Sequence, residues 1–534
     1  MIAPLTKAQF PELIFGVVAP IGVDLDLLSD TLGQVLDEMG YQAHAFRLTS
    51  LMKEVKIKAP ISRSNGSTVA SYQQRIAHAN AIRAELGDDA MAALAVSAIR
   101  SFRAQERAAK QIREAVAQSE DVSGERDEEL PLAAQAYIVR QLKRPEEVDL
   151  LRGVYGRQFI LVGAYAPQDA RLRRLKDRER ASRGGLVSDV DAHNLAYNLI
   201  AQDAKESLDL HGQNVRDAFP LADVFIDTTS KQNCIETVRR FVYLLFGNNE
   251  ITPTHDEYGM YIAKSASLRS SDLSRQVGAA IFRASGEIAT LGCNEVPKAG
   301  GGTYWAEDET DRRDFVEGHD PNERHKTEVL IDIIDRLKDG NFLSQDLSKI
   351  DDSYQIADKL LKLGGDRSIK ESKLMDIIEF GRIIHAEMCA ITDAARKGVP
   401  VGGGALYCTT FPCHICAKHI VSSGLRRVVY LEPYAKSYAS ELHGDSIEVD
   451  ADVKTGKVAF DAFIGVSPFR YRDLFEKGRR KYSTGKAQKW DKGAAHPMID
   501  VYYPSYFKAE TYVVGRLDRQ LEELAARRKE HGAP

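Results

Sequence analysis

Two short groups of metal-ligating residues constrain the fold of this chain more than any other feature of its sequence. His385 and Glu387 form an H-x-E pair, and a C-x-x-C pair follows at Cys413 and Cys416, directly after Pro412. Thiolates and an imidazole are ligands that zinc prefers. A C-x-x-C pair at the start of a helix places both sulfurs on one side of the first turn, where exposed N–H groups favour thiolate. The fold must therefore bring two helices together around one metal ion.

The number of these ligands predicts an open, catalytic site. His385, Cys413 and Cys416 supply three ligands, which leaves the fourth position of a tetrahedral zinc for water. Zinc lowers the pKa of that water toward about 7. Glu387 can take its proton and pass it to a ring nitrogen and a leaving amine. H-x-E followed by P-C-x-x-C is the signature of zinc-dependent nucleobase deaminases.

A closed structural zinc, with Cys389, Cys408 or His414 as fourth ligand, is the alternative interpretation. The H-x-E pair and the prolyl residue before the cysteines favour the open site. The chain has 6 cysteines among 534 residues, too few for a disulfide framework. This cysteine usage predicts a cytoplasmic protein with reduced thiols.

Composition argues against two other classes of protein. Hydrophobic residues make up 43% and charged residues 28% of the chain, as in soluble globular proteins. The net charge of −5 argues against a surface that coats nucleic acid. No run approaches the roughly 18 apolar residues that span a bilayer, so no membrane partner is expected.

Strand and helix patterns divide the chain into two α/β halves. In residues 1–250, apolar runs at 13–18, 159–162 and 224–226 predict buried strands that alternate with helices, as in a parallel sheet. The second half, residues 251–534, predicts a hairpin (277–282 and 287–294), a helix (374–397), a strand (405–410), a helix (413–423) and a strand (427–431). A polar insert near 298–375 interrupts this pattern.

Residues 385–430 read HAEMCAITDAARKGVPVGGGALYCTTFPCHICAKHIVSSGLRRVVY and closely resemble the deoxycytidylate deaminases of the cytidine-deaminase superfamily. Residues 269–279, with Asn294 and Pro297, resemble that family's R-S…Q-V-G-A segment and its T-G-Y-N-G-x-P turn. The resemblance implies an α/β/α sandwich with zinc on His385, Cys413 and Cys416. It also implies that Glu387 is the proton shuttle.

The same resemblance implies a set of substrate-binding residues. They are Asn294 at the sugar or base, Ser270 and Gln276 near the phosphate, and Thr409 and Pro412 near the pyrimidine. Asp272 stands where some relatives have a cysteine for a second zinc, so one zinc per chain is expected. Glu295 replaces the glycine, and Cys293 the aromatic residue, that usually flank the asparagine in this family.

The first half resembles a deoxynucleotide-kinase-like P-loop domain. Its strand–loop–helix at 13–28 has Gly22-Val23-Asp24 where the motif requires Gly-Lys-Ser, so it lacks the phosphate-binding lysine. The predicted nucleotide-binding residues are Gly16, Gly22, Asp24, Arg173 and Arg174, the arginines belonging to a lid-like run at 168–183. The alternatives are an ordinary β–turn–α unit for the loop and a solvated helix face for the run. We therefore predict a regulatory domain rather than a working kinase.

A kinase-like half followed by a deoxycytidylate-deaminase half resembles the bacterial anti-phage dCTP deaminases. This implies deamination of free dCTP and dCMP to dUTP and dUMP, which depletes dCTP during infection. It further implies a small inhibitory RNA or a phage-derived signal as regulator, and we expect a homo-oligomer. One alternative is a housekeeping dCMP deaminase with a fused regulatory domain.

A second alternative is a protein that edits or binds cytosine in nucleic acid. The segment 470–492 is basic with interleaved aromatic residues, so it would suit a triphosphate or an RNA. It would equally suit a solvated surface.

Overall fold

The computed structural model describes residues 8–57, 66–118, 131–204, 206, 209–363, 369–433, 437–451, 455–501 and 506–530. The chain divides into two compact units. Met1–Pro253 and Ile464–Pro534 form the first unit, and Thr254–Phe463 forms the second. Within the described residues, every helix is too short or too polar to cross a membrane.

The strands, in chain order, are β1 (Leu13–Val18), β2 (Gln42–Arg47), β3 (Gln135–Leu142), β4 (Phe159–Tyr165), β5 (Val224–Asp227), β6 (Gly278–Phe282), β7 (Ile288–Cys293), β8 (Ala405–Thr410), β9 (Arg427–Glu432), β10 (Ile447–Val449), β11 (Val458–Ala462) and β12 (Gly465–Val466). The α-helices are α1 (Leu25–Asp37), α2 (Leu48–Leu51), α3 (Thr68–Leu86), α4 (Ala90–Gln118), α5 (Pro145–Tyr155), α6 (Gln168–Ser182), α7 (Asp189–Ala204), α8 (Val215–Ala218), α9 (Lys231–Leu245), α10 (His255–Ser267), α11 (Asp314–Glu317), α12 (Pro321–Asp339), α13 (Gln345–Ser348), α14 (Ser353–Lys362), α15 (Ala386–Lys397), α16 (His414–Ser422), α17 (Ala439–His443), α18 (Tyr471–Phe475) and α19 (Tyr506–Glu530).

The first unit is built on a six-stranded sheet in the order β12-β5-β4-β1-β3-β2. Its neighbouring strands are parallel except for β12, which pairs antiparallel with β5. Every residue of β1 is buried, as expected for a central parallel strand covered on both faces. The strands predicted from apolar runs, now β1, β4 and β5, are confirmed. The edge strand β2 was not predicted because only three of its six residues are apolar and none of the six is fully buried.

Residues 464–534, assigned from the sequence to the second half, belong to the first unit. A buried charge cluster attaches α19: Arg103 of α4 donates to Glu12 and to Glu510, each at 2.8 Å. These three side chains are at most 3% exposed, and Tyr506 also donates to Glu12 at 2.7 Å. Local sequence carries no signal for a contact between residues 407 positions apart.

The two ends of the basic segment 470–492 pack within the first unit, whereas residues 478–489 are exposed, so its interpretation as a phosphate or RNA patch stays a prediction. Arg470 donates to the carbonyl of Phe159 at 2.6 Å. The indole of Trp490 donates to the carbonyl of Phe246 at 3.1 Å. The apolar faces of this segment join the core beneath the sheet.

The second unit contains a six-stranded sheet in the order β10-β11-β9-β8-β6-β7. The predicted hairpin is confirmed as β6 and β7, and β6 also pairs antiparallel with β8. The strands β8, β9, β11 and β10 follow in parallel. Helix α15 packs on β6 and β7, and α16 follows directly after β8. The predicted insert forms α11 to α14.

The helix predicted at 374–397 is shorter in the structure. Lys373–Asp376 forms a 3₁₀ turn, and the α-helix begins at Ala386. Between them, Ile384 and Glu295 form an antiparallel bridge, which keeps this backbone extended. His385 consequently becomes the N-cap residue of α15, with φ −67° and ψ 153°.

We expect Arg103→Ala to destabilise the first unit by about 3–5 kcal/mol, because it leaves two buried carboxylates without their cation. Urea unfolding can be followed through Trp490 fluorescence in a Trp305→Phe background, since the chain has 2 tryptophans. Arg100→Ala, one turn earlier on the exposed face of α4, is the matched control and should unfold like the parent. Equal unfolding midpoints for the two variants would contradict the role of the cluster.

Candidate metal centre

The starts of two helices bring the predicted metal ligands together. His385 is the N-cap of α15, and Cys413 is the N-cap of α16, where its sulfur accepts from the N–H of Cys416 at 3.4 Å. Residues at an N-cap leave the helical path, so their side chains can turn back toward the first N–H groups. Strand β8 leads into α16 through the turn at Phe411 and Pro412.

The distances between the three side chains fit a tetrahedral zinc ion. The Nδ1 atom of His385 lies 3.3 Å from the sulfur of Cys413 and 3.4 Å from the sulfur of Cys416. The ligand atoms all lie within 4.8 Å of one another. Zinc bonds of about 2.3 Å to sulfur and about 2.0–2.1 Å to nitrogen would separate sulfur from nitrogen by roughly 3.6 Å. The donor set and its spacing therefore suit zinc.

Electrostatics in this cluster already favour a thiolate. A hydrogen bond from Cys416, together with the neighbouring His385 ring, lowers the pKa of the Cys413 thiol to about 4. The bond to Cys413 in turn raises the pKa of His385 to about 9. The hydrogen bond with Cys413, together with burial, raises the pKa of the Cys416 thiol. Metal binding would therefore displace protons from His385 and Cys416.

Glu387 lies beside the cluster but outside its ligand set. Its side chain is buried, within hydrogen-bonding reach of the thiols of Cys416 and Cys408. Burial raises the pKa of the Glu387 carboxyl. A buried carboxyl with a raised pKa next to a metal site can hold and release a proton.

The alternative fourth ligands Cys389, Cys408 and His414 lie outside the group of ligand atoms that are within 4.8 Å of one another. Within the residues that the structure describes, His385, Cys413 and Cys416 form a group without a fourth metal-ligating side chain. His414 points toward Glu379, with 3.8 Å between the ring and the carboxylate. This arrangement favours the open site over a closed structural one.

The predicted substrate residues meet around the loop that precedes β6. The amide of Asn294 donates to Asp272 at 2.7 Å and accepts from the N–H of Val277 at 2.7 Å. The hydroxyl of Thr409 accepts from the N–H of Gly278 at 3.1 Å, and Gln276 donates to the carbonyl of Ser270 at 2.7 Å. Pro412 follows β8 and accepts at its carbonyl from Ser437 at 2.8 Å. Asn294, Thr409 and Gln276 thus organise the loop mainly through bonds to its backbone, whereas Pro412 bonds to Ser437. Their contacts with a substrate remain predictions.

Sequence reasoning missed the role of Glu295, which is 1% exposed. Its carboxylate accepts from the N–H and the hydroxyl of Ser271, at 3.0 and 2.6 Å. Its backbone bridges Ile384, directly before His385. Glu295 thus connects the substrate loop to the start of α15. The available signal was the charged residue at a position where the resembled family usually has glycine.

The predicted nucleotide-binding residues of the first half lie in strand β1, in the loop before α1 and on helix α6. Gly16 lies inside β1, where an added Cβ would be 2.6 Å from the Phe159 ring, so packing explains this glycine. Gly22 has φ +92° in the loop before α1, and Asp24 caps that helix. Arg174 of α6 forms an ion pair with Asp24. Arg173 is exposed on the same helix.

Comparison with known proteins agrees with this geometry. Residues 253–432 match the family model described as the cytidine and deoxycytidylate deaminase zinc-binding region. ComE operon protein 2 of Bacillus subtilis (strain 168) is 41% identical over 80 residues, 15% of this chain and 42% of that protein. Deoxycytidylate deaminase of Enterobacteria phage T4 is 48% identical over 54 residues, 10% of this chain and 28% of that protein.

The chain spans less than half the length of the curated relatives it matches. Among solved structures, the apo dCMP deaminase from cyanophage S-TIM5 aligns over 40% of this chain and 99% of its own, at 16% identity and a TM-score of 0.20. The family match and the relatives support a deaminase-family domain within residues 253–432.

We expect Cys413→Ala to lose bound zinc, because two protein ligands hold the ion far less tightly than three. Glu387→Gln should retain zinc, since Glu387 lies outside the ligand set. Cys389→Ala, a buried cysteine outside the cluster, is the matched control. Elemental analysis of the purified proteins measures this, and zinc loss from the Glu387→Gln protein would contradict the ligand assignment.

Proposed function

We propose that this protein is a zinc-dependent hydrolytic deaminase of free deoxycytidine nucleotides, converting dCTP and dCMP to dUTP and dUMP. The observation that carries the proposal is the cluster of His385, Cys413 and Cys416 with the buried Glu387 beside it. Three protein ligands with an adjacent carboxyl are the arrangement expected for hydrolysis rather than for structural support.

Each residue has a definite role in this proposal. His385, Cys413 and Cys416 hold the zinc, and zinc when bound would act as a Lewis acid that makes water a nucleophile near neutral pH. Glu387 accepts a proton at its carboxylate and delivers it to the ring nitrogen and then to the departing amine. Burial of Glu387 keeps bulk water from competing for that proton.

Two observations support a free nucleotide as the substrate. The matched family model covers cytidine and deoxycytidylate deaminases, and the similar phage proteins are named deoxycytidylate deaminases. The loop around Asn294 is also held rigid by hydrogen bonds, so it can position a small ligand.

We further propose that deamination depletes dCTP in anti-phage defence and that the first unit regulates it. The support is the pairing of a kinase-like half with a deaminase half, together with the loss of the P-loop lysine at Val23. A deaminase that drained dCTP without control would harm its own cell, so regulation is required. Regulation by an RNA or a phage-derived signal and a homo-oligomeric assembly belong to the same proposal.

The purified protein should release ammonia from dCMP or dCTP and act far more slowly on CTP, because a tightly packed sugar pocket excludes the 2′-hydroxyl. Glu387→Gln should lower this rate by about 10²–10⁴-fold or more while zinc content stays normal. Product analysis by chromatography, with a cytosine-containing single strand as a further substrate, measures this. Equal rates on CTP, or activity on the polymer alone, would contradict the proposal.

In a bacterial host, expression of the protein should reduce phage plaque formation and lower the dCTP pool during infection. The Glu387→Gln protein, expressed at the same level, should do neither, because depletion requires turnover. Plaque counts and nucleotide pools measured over one infection cycle test this. Normal plaque numbers and an unchanged dCTP pool, with an enzyme active in vitro, would favour the housekeeping alternative.

A further inference from the structure

A cavity of about 240 Å³ is lined by residues of the first unit, whereas the predicted metal ligands belong to the second unit. Its walls come from the segments that follow β1, β2 and β3: the loop 19–25, the turn at Arg47 and Leu48, and the stretch from Arg140 to Lys143. Helix α3 covers it with Tyr72 and Arg75. The carboxyl edge of a parallel sheet is the usual place for a ligand in such folds.

The cavity has an excess of positive charge. Among the described residues, its lining includes six basic side chains, Arg47, Arg75, Arg83, Arg140, Lys143 and Arg178, and three carboxylates, Asp24, Asp26 and Asp203. Most of the six have a carboxylate partner, such as Glu147 for Arg83. Arg75 and Arg178 form no direct ion pair within the part of the chain that the structure describes, although Arg178 interacts electrostatically with Asp24. Arg75 donates instead to the carbonyl of Ser71 at 3.0 Å and lies over Tyr72.

Carboxylates of the chain itself accept from two N–H groups beside this cavity. The N–H of Ile21, in the loop after β1, donates to Asp203 at 2.7 Å, and the N–H of Leu27, in the first turn of α1, donates to Asp24 at 3.1 Å. Lys143 donates to Asp203 at 2.6 Å. An anionic ligand in this cavity would therefore depend mainly on the arginine side chains of the lining.

Among the residues that the structure describes, two buried polar atoms in side chains that line the cavity have no hydrogen-bond partner. They are the Nε donor of Arg140 and the Oε1 acceptor of Gln213, in side chains that are 6% and 5% exposed. A buried polar group without a partner costs about 1–3 kcal/mol, so such groups are uncommon unless something else satisfies them. Arg140 lacks an acceptor for its Nε–H, and Gln213 lacks a donor to its Oε1. A single ligand that carries an acceptor and a donor would supply both.

We propose that this cavity binds a small phosphate monoester that also carries a hydroxyl or amino group. The guanidinium groups of Arg75 and Arg178, neither of which is directly paired with a carboxylate among the described residues, suit a group that carries about −1.5 to −2 near neutral pH, which favours phosphate over a single carboxylate. The volume suits a molecule no larger than a nucleoside monophosphate, since pockets for larger ligands are about 300–1,000 Å³. The hydroxyl or amino group donates to Gln213.

A sugar phosphate and a nucleoside monophosphate share this chemistry. Titration calorimetry on the full chain with inorganic phosphate, ribose 5-phosphate and dGMP distinguishes them. The organic probe that binds more tightly shows whether the ligand is a sugar phosphate or a nucleoside monophosphate. None of these probes carries cytosine, so binding is measured without turnover. Failure of this inference and failure of the proposed deamination are therefore separate results.

Arg75→Gln and Arg178→Gln should each weaken binding of the organic probes at least tenfold. Arg100→Gln, the same charge change on the exposed face of α4, should bind like the parent. Gln213→Leu should weaken the organic probes but leave inorganic phosphate unchanged, because the lost acceptor serves the hydroxyl or amino group. Neither Arg75 nor Arg178 is fully buried, so both variants should fold, which circular dichroism checks.

Two results would overturn the proposal. One is the absence of measurable binding by any of the three probes at millimolar concentration. The other is that the Arg75→Gln and Arg178→Gln proteins bind the probes as tightly as the Arg100→Gln protein does. The guanidinium groups of Arg75 and Arg178 would then have no part in binding.

Discussion

The meeting of two helix starts at one point is the constraint on which the second unit depends. His385 caps α15 and Cys413 caps α16, and their ligand atoms approach to 3.3 Å. Successive residues of a helix are rotated by about 100°, so moving either start by one residue would turn a ligand away from the cluster. Three features fix the positions of these two helix starts: the sheet, the turn after β8 and the bridge before α15.

Glu295 connects this metal centre to the loop that is predicted to hold the substrate. Its backbone pairs with Ile384, and its carboxylate binds Ser271. Asn294, the preceding residue in the chain, fixes the other end of the same loop through Val277. Neighbouring residues thus set the distance between the loop and the ligand His385. This arrangement makes Asn294 a positioning residue in the structure, whatever contact it makes with a substrate.

Side chains of the first unit bind groups that lie far away in the sequence. Asp203 accepts from the N–H of Ile21 in the loop after β1. Arg103 neutralises Glu12 and Glu510, which attaches α19 next to the start of β1. Asp24, by contrast, makes a local contact, since it caps α1 by accepting from the N–H of Leu27. The long-range contacts bring together segments that the order of the sequence separates.

The sequence by itself determined the features that depend on neighbouring residues. The apolar run 13–18 predicted a buried strand, Ser285-Gly286 predicted the hairpin, and the spacing of His385, Cys413 and Cys416 predicted the metal cluster. Strand burial, turn geometry and ligand chemistry act over a few residues, so their patterns are visible in the chain.

Only the tertiary structure decided where α15 begins, what Glu295 does and which unit receives residues 464–534. The start of α15 depends on a bridge between positions 295 and 384, and the place of α19 depends on a charge pair between positions 103 and 510. Such contacts leave no periodic signal in either segment, because each partner alone is an ordinary polar residue. Burial gives them their strength, and burial exists only after the chain has folded.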